Sequence, residues 1–469
     1  MKQIILTALL VLSTFCLKSQ EAADWTGNWK GSLVDGKKSI LFFMVISNTD
    51  SAGYSIKMEV PEQGIKDIKP VDISVEKEAL SFAVKGFRSK YKGVIKENKV
   101  IDGVWFQSGK EFVLKFEKTE GELVLKRPQN PVGPFPYTEE KVTFINPDDD
   151  VKLSGTITIP QGKGPFPAVV LVSGSGQQNR DCEILGHKSF WVLADYLSRN
   201  GIIVLRYDDR GVGESGGNPV SATTQVFAMD ATAAFFALRK HPLVDKEHVG
   251  IMGHSEGGII APMIASKKKE VAFIVLLAGP GIDVIDLMVI QNRKIVEQDS
   301  LLKEEQMPAF ENTIRNVFRA VVDIKDPTAS GKKVMEIYKN YTAGLDSTVA
   351  EKLGFSEKNL RMQLISIMSP WYRYFLSIEP SAYLKKVRCP VLALNGEKDS
   401  QVTPDENLKA IREALEKGKN KNFEIVKVPE LNHLFQHAVT GLPDEYAKIE
   451  ETFSPEVMEM IGKWIKDLK

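Results

Sequence analysis

Two patterns of apolar residues divide the sequence. Between residues 24 and 127, short runs such as ILFFMVISN, YSIKMEV, DISVEK, ALSFAVKG, KGVIKE, VIDGVWFQ and FVLKFEK mix apolar with polar positions. Leu80, Phe82 and Val84 fall on one side, with Ser81, Ala83 and Lys85 on the other. A period of two is that of a strand with one buried face. Asp35-Gly36, Glu97-Asn98 and Ser108-Gly109 separate the runs and supply turn residues. About seven strands in such a stretch predict a small all-β, barrel-like domain.

From residue 140 the runs become continuously apolar: PAVVLVSG, GIIVLRYD, HVGIMGHS, VAFIVLLAG, PVLALNG and FEIVKVPE. Strands covered on both faces read this way. Helical stretches such as FWVLADYLSRN, TTQVFAMDATAAFFALRK and PDENLKAIREALEKG lie between them, which predicts a doubly wound, mainly parallel α/β domain over 140–469. Residues 282–385 interrupt the rhythm with mainly helical, charged sequence, expected to form a cap at the sheet edge. Arg127 to Tyr137 carries four prolines, so 128–139 is expected to be an extended linker.

Residues 1–20 change the picture at the N-terminus. Lys2 precedes a run from Ile4 to Leu17 broken only by Thr7, Ser13 and Thr14. That run is shorter than the roughly 20 residues of a membrane span and fits a secretory signal peptide. The expectation is a mature protein without a transmembrane span, exported to the periplasm or the outside. Lys plus Arg and Asp plus Glu both total 61, so no basic excess points to nucleic acid. With the export segment removed, Cys182 and Cys389 remain. They flank opposite ends of core strands, too far apart for a disulfide, and are expected to be free thiols. Neither has metal-ligand spacing, so no zinc site is expected.

The chemistry concentrates in Gly253-His254-Ser255-Glu256-Gly257, placed after a strand and before the helix GIIAPMIASKK. A sharp strand-to-helix turn exposes the Ser255 hydroxyl, and the small flanking glycines permit it. A serine nucleophile needs a neutral imidazole as base. In the order serine, acid, histidine, His433 and His437 follow late enough; His433, in the loop after FEIVKVPE, is the better placed, and His437 reads as a helix or rim residue. The acid is expected beyond VLALNG, where Asp399 is favoured and Glu397 is its rival. Backbone N–H groups of Glu256 and of Ser175 or Gly176, in the loop Ser173-Gly174-Ser175-Gly176-Gln177, would stabilise an oxyanion. Asp209-Arg210 and Arg180-Asp181 read as buried ion pairs that shape loops. Trp371, Tyr372, Tyr374 and Phe375 form an aromatic cluster suited either to an acyl pocket or to cap packing.

The motifs RPQNPVGPFPY, VLVSGSGQQNRD, LRYDDRGVGESGG, GHSEGG, LNGEKDSQV and LNHLF together resemble the α/β-hydrolase superfamily, in particular the bacterial EstD-type carboxylesterases that carry an extra N-terminal domain. The resemblance implies a Ser255, Asp399 and His433 triad acting on short to medium acyl esters without metal or cofactor. Ser173-Gly174 stands where many hydrolases have His-Gly. The function expected is therefore an exported serine carboxylesterase with a small-molecule ester as its partner. The alternatives are an exported serine peptidase of aminopeptidase type, an acyl thioesterase, and a ligand-binding protein with a vestigial hydrolase domain. Sequence fixes neither the oligomeric state nor the acyl length.

Overall fold

The computed structural model describes residues 23–35, 38–49, 53–61, 65–121, 123, 125–298 and 300–468. The expected export segment, 1–20, lies outside them. The chain divides into two compact units between residues 124 and 125.

The first unit contains β1 (Gly27–Asp35), β2 (Lys38–Thr49), β3 (Gly53–Val60), β4 (Ile65–Ile68), β5 (Val71–Glu76), β6 (Ala79–Val84), β7 (Ser89–Lys96), β8 (Val100–Gln107) and β9 (Lys110–Thr119). They form one antiparallel sheet in the order β4-β3-β2-β1-β9-β8-β7-β6-β5. Nine strands stand where about seven were expected. The ends curl together until β3 approaches β5, but no ladder joins the two among the described residues. Trp25, Trp29, Tyr91, Trp105 and Phe116 fill the inner face.

The second unit holds a mixed eight-stranded sheet of β10 (Tyr137–Asn146), β11 (Val151–Pro160), β12 (Phe166–Val172), β15 (Ile203–Tyr207), β16 (Val244–His254), β17 (Phe273–Leu277), β18 (Val391–Gly396) and β19 (Phe423–Val428). A two-residue hairpin, β13 (Glu183–Ile184) and β14 (His187–Lys188), stands apart. The sheet order is β10-β11-β15-β12-β16-β17-β18-β19. β11 runs antiparallel to both its neighbours, and β12 onward the strands are parallel. This is the α/β-hydrolase fold.

Successive residues of the core strands face opposite layers, which explains their unbroken apolar runs. Val169 and Leu171 pack with α1 (Ser189–Arg199) and α12 (Pro455–Asp467). Ala168 and Val170 pack with α2 (Thr224–Arg239), α3 (Gly257–Ala265) and α11 (Pro404–Lys417). Chain order reverses about β12, whose parallel partners are β15 on one side and β16 on the other. A crevice outside the carboxyl ends of the strands is expected at such a reversal.

Between β17 and β18 the chain forms α4 (Val284–Gln298), α5 (Met307–Asp323), α6 (Pro327–Thr342), α7 (Ser347–Lys352), α8 (Glu357–Ile367), α9 (Pro370–Leu376) and α10 (Pro380–Leu384). In α5, Phe310, Ile314, Val317 and Val321 recur at helical spacing and are buried, each such side chain contributing about 1.5–3 kcal/mol.

The proline-rich stretch is not a free linker. It belongs to the second unit, where the Arg127 guanidinium donates to the carbonyls of Leu185, Ala447 and Ile449. Gln129 likewise donates to the Phe453 carbonyl and accepts from the Thr452 and Phe453 N–H groups. Extended backbone leaves side chains free to reach for partners, and these find the C-terminal loops.

Candidate active site

β16 ends at His254 and α3 begins at Gly257, so the chain must reverse within two residues. Ser255 does this with φ of 54°, a left-handed conformation that costs a non-glycine residue about 1–3 kcal/mol. The turn is possible because two side chains are missing. A Cβ on Gly253 would overlap the Gly257 carbonyl, and one on Gly257 would overlap the Val172 carbonyl. The Ser255 N–H donates to the Leu277 carbonyl at 2.9 Å, pinning the turn to the end of β17. The α3 N-terminus lies directly behind, where its dipole favours negative charge.

Asp399 leaves the end of β18 and His433 follows β19. His433 Nδ1 and Asp399 Oδ2 are 2.8 Å apart, and both side chains are buried. The N–H groups of Gln401 and Val402 donate to Asp399 Oδ1 at 2.8 and 2.9 Å. A carboxylate so held accepts a hydrogen bond from Nδ1–H and leaves His433 Nε2 as the basic nitrogen. His254 packs beside it, ring centroids 4.8 Å apart, and donates from Nε2 to the His433 carbonyl at 2.9 Å. Burial, then the neighbouring imidazole, pushes His254 down to about 3. It therefore stays neutral and buttresses the His433 backbone.

The two rivals lie elsewhere. Glu397 accepts the Glu430 N–H at 3.3 Å, and His437 bonds Glu451 and Glu456 at 2.9 and 3.0 Å. His437 belongs to no helix; it sits at the surface in irregular chain, bridged to Leu431.

The loop after β12 approaches the serine closely: a Cβ on Gly174 would stand 3.0 Å from the Ser255 Cβ. Asp209 anchors both ends of this loop, accepting from the Ser173 hydroxyl and the Gln178 N–H at 2.9 Å each. Burial pushes the Asp209 carboxyl up to about 7. Among the described residues, the N–H groups of Glu256 and Ser175 have no protein acceptor. Ser175 lines a cavity with Ser255, whereas Gly176 does not.

The expected ion pairs are corrected. Arg210 bonds Asp230 and Asp149, each at 2.7 Å, rather than Asp209. Arg180 bonds Asp208 at 2.6 Å, and Asp181 pairs with Arg206. Both pairs sit in turns and irregular chain beyond strand ends, where each side chain finds its partner in another segment.

The cavity, of about 350 Å3, is lined by both Ser255 and His433. Trp371, Tyr372 and Phe375 of α9 line it with Leu287 and Met288 of α4. Trp371 stacks on Phe375 with centroids 5.1 Å apart and 13° between planes. Tyr374 takes the other role open to the cluster and donates to Gln225 at 3.2 Å. Gln401 and Tyr446, which sequence reasoning missed, add a polar edge, the Gln401 amide donating to the Tyr446 hydroxyl at 2.7 Å. Also missed was the Glu256 side chain, buried beneath the cap and bonded to Trp371; its place next to Ser255 was the one available signal.

Both Cys182 and Cys389 are free thiols, and burial pushes each up to about 12. Among the described residues, no group of three or more His, Cys, Asp or Glu is arranged to hold a metal ion, and no helix is long and apolar enough to cross a membrane.

Esterase EstD of Thermotoga maritima is 28% identical to this chain over 407 residues, which cover 84% of this chain and 81% of that one. Among solved structures, a hypothetical protein from Pseudomonas aeruginosa aligns over 75% of this chain and all of its own, at 18% identity and a TM-score of 0.45. An esterase from Pyrococcus furiosus aligns over 74% of this chain and 99% of its own, at 17% identity and a TM-score of 0.41. Residues 149–434, more than half of the chain, match the family described as X-Pro dipeptidyl-peptidase (S15 family). That match spans Ser255, Asp399 and His433, and the chain belongs to this family of α/β-hydrolases.

Proposed function

We propose that this protein is an exported serine carboxylesterase acting on short to medium acyl esters through an acyl-enzyme. Ser255 Oγ attacks the ester carbonyl as His433 Nε2 takes its proton. Asp399 steadies the resulting imidazolium without accepting the proton itself. The negative oxygen of the tetrahedral intermediate faces the Glu256 and Ser175 N–H groups. His433 then returns the proton to the departing alcohol, activates a water, and the acid is released from Ser255.

The observation that carries this reading is one cavity lined by both Ser255 and the Asp399-bonded His433. The EstD similarity supports the ester substrate. A second reading, an exported dipeptidyl-peptidase, is favoured by the family description. Such an enzyme must hold the ammonium of a peptide N-terminus, which calls for a carboxylate in the pocket. Among the described residues, none that lines this cavity is Asp, Glu, Lys or Arg, which suits a neutral acyl group better. Export rests on Lys2 and the apolar run from Ile4 to Leu17.

The test is hydrolysis of p-nitrophenyl acetate and butyrate beside glycyl-prolyl-anilide, with wild type and Ser255→Ala. Ester turnover in wild type should exceed anilide turnover, and the variant should lose about 10^5–10^6 in kcat. Equal ester rates in the two proteins would end the proposal; preference for the anilide would replace it with the peptidase.

A further inference from the structure

One side chain beneath the cap joins parts of the site that the chemistry treats separately. Glu256 follows the nucleophile, and its backbone N–H faces the developing oxyanion. Its carboxylate is turned away, 2% exposed, into a set of donors from different elements. The Thr224 hydroxyl, at the start of α2, donates to Oε1 at 2.6 Å. The Trp371 indole N–H, from cap helix α9, reaches Oε1 at 3.0 Å and Oε2 at 3.2 Å. Burial holds the Glu256 carboxyl above its ordinary range, against the bonds from Thr224 and Trp371.

A buried carboxylate is costly unless its oxygens are satisfied. Removing any one donor leaves the others to compensate, so positions of the donors are coupled through the acid. Trp371 is also a wall of the cavity and stacks on Phe375. Glu256 supplies, from its own backbone, one N–H of the oxyanion site. The wall that meets the acyl chain and the turn that meets the carbonyl oxygen thus share one residue.

Building on the esterase reading, we propose that the Glu256 side chain latches the cap to the nucleophile turn, so that Trp371 acts as a positioning residue for the Glu256 N–H. The latch makes a distant cap residue matter for chemistry on substrates too short to need it. An acetyl group is satisfied by the space next to Ser255, yet loss of the Trp371 N–H should slow its turnover. A residue that merely lined an acyl pocket would spare acetate and affect longer chains through KM.

The experiment compares kcat and KM on p-nitrophenyl acetate, butyrate and octanoate for wild type, Trp371→Phe, Glu256→Gln and the double variant. Trp371→Phe keeps an aromatic ring and leaves the serine turn untouched, so the test survives if Glu256→Gln misfolds. Each single variant is expected to lower kcat on acetate about five- to tenfold, the scale of one buried hydrogen bond. The double variant should match the larger single loss, because both remove the same coupling. Unchanged kcat on acetate in Trp371→Phe, or single losses that multiply in the double variant, would overturn the latch. Wild type that neither turns over esters nor labels at Ser255 with a fluorophosphonate would instead overturn the esterase reading on which it rests.

Discussion

Strand β7 of the first unit and strand β18 of the second use apolar residues in opposite ways. In β7, Ser89, Tyr91, Gly93 and Ile95 are buried, while Lys90, Lys92, Val94 and Lys96 are exposed. In β18 all six residues are buried. A sheet with a wet face meets solvent along its whole length and has no privileged place for chemistry. A sheet covered on both faces meets solvent at its ends, and there the backbone changes direction. Ser255, Asp399 and His433 follow the ends of β16, β18 and β19, so burial of the sheet itself gathers them at one edge. The first unit is therefore expected to respond to mutation through stability and the second through catalysis.

The largest effect should come from the end of β18. In Asp399→Asn the amide presents a donor to His433 Nδ1, favouring the tautomer whose Nε2 carries the proton and cannot accept one from Ser255. A loss of about 10^4 in kcat is expected, near 5 kcal/mol of transition-state stabilisation. The Gln401 and Val402 N–H bonds retain an acceptor, so thermal unfolding should move little. Steady-state kinetics beside a melting curve measures both; a variant within tenfold of wild type would detach Asp399 from the reaction.

A change of comparable size, but of the other kind, is expected inside the first unit. Trp105 is buried against Phe42, with centroids 5.3 Å apart, and its indole N–H donates to Gln107. Trp105→Ala should cost about 3–5 kcal/mol of stability in that unit. The kcat per fluorophosphonate-labelled site should stay at the wild-type value. Denaturant unfolding and active-site titration check the two halves, and a large fall in kcat per labelled site would erase the division of labour.

How much of this was legible depended on the range of the interaction. The doubly wound sheet was readable because burial on both faces leaves unbroken apolar runs, as in β12, β16 and β18. The serine turn was readable because Gly253 is demanded by the Gly257 carbonyl four residues on, within the motif itself. β1 and β4 were missed: GNWKGSLVD is broken by glycines, and IKDI is a four-residue edge strand with two exposed positions. β10 was missed because YTEEKVTFIN lies at the sheet edge and keeps a polar side. Partner choice was least legible. Arg210 with Asp230, Arg127 with the loop at 447–449, and Glu256 with Trp371 all join residues distant in sequence, and no local period records them.

The smallest expected effect separates the units by pH. All six histidines lie in the second unit, and none lies between residues 24 and 124. His187 is fully buried, with Nδ1 2.8 Å from the Thr452 hydroxyl and Nε2 2.9 Å from the Tyr446 carbonyl. Burial pushes it down to about 4, against the opposing pull of the Tyr446 carbonyl. The unfolded imidazole takes a proton near 6.5, and the folded one resists until about 4. Between those values the unfolded state binds more protons, so this contribution to stability is present above pH 6.5 and is lost as pH falls towards 4. Asp209, pushed up to about 7, works in the opposite sense, because its folded carboxyl holds a proton that the unfolded chain releases. The informative quantity is therefore the stability gap between wild type and His187→Gln. That gap should narrow by about 2–3 kcal/mol between pH 7 and pH 4.5, followed by urea unfolding with Ser255 labelling as the probe of the second unit. A gap that stays constant would mean that His187 titrates alike in both states, and that acid does not distinguish the buried sheet from the half-wet one through this residue.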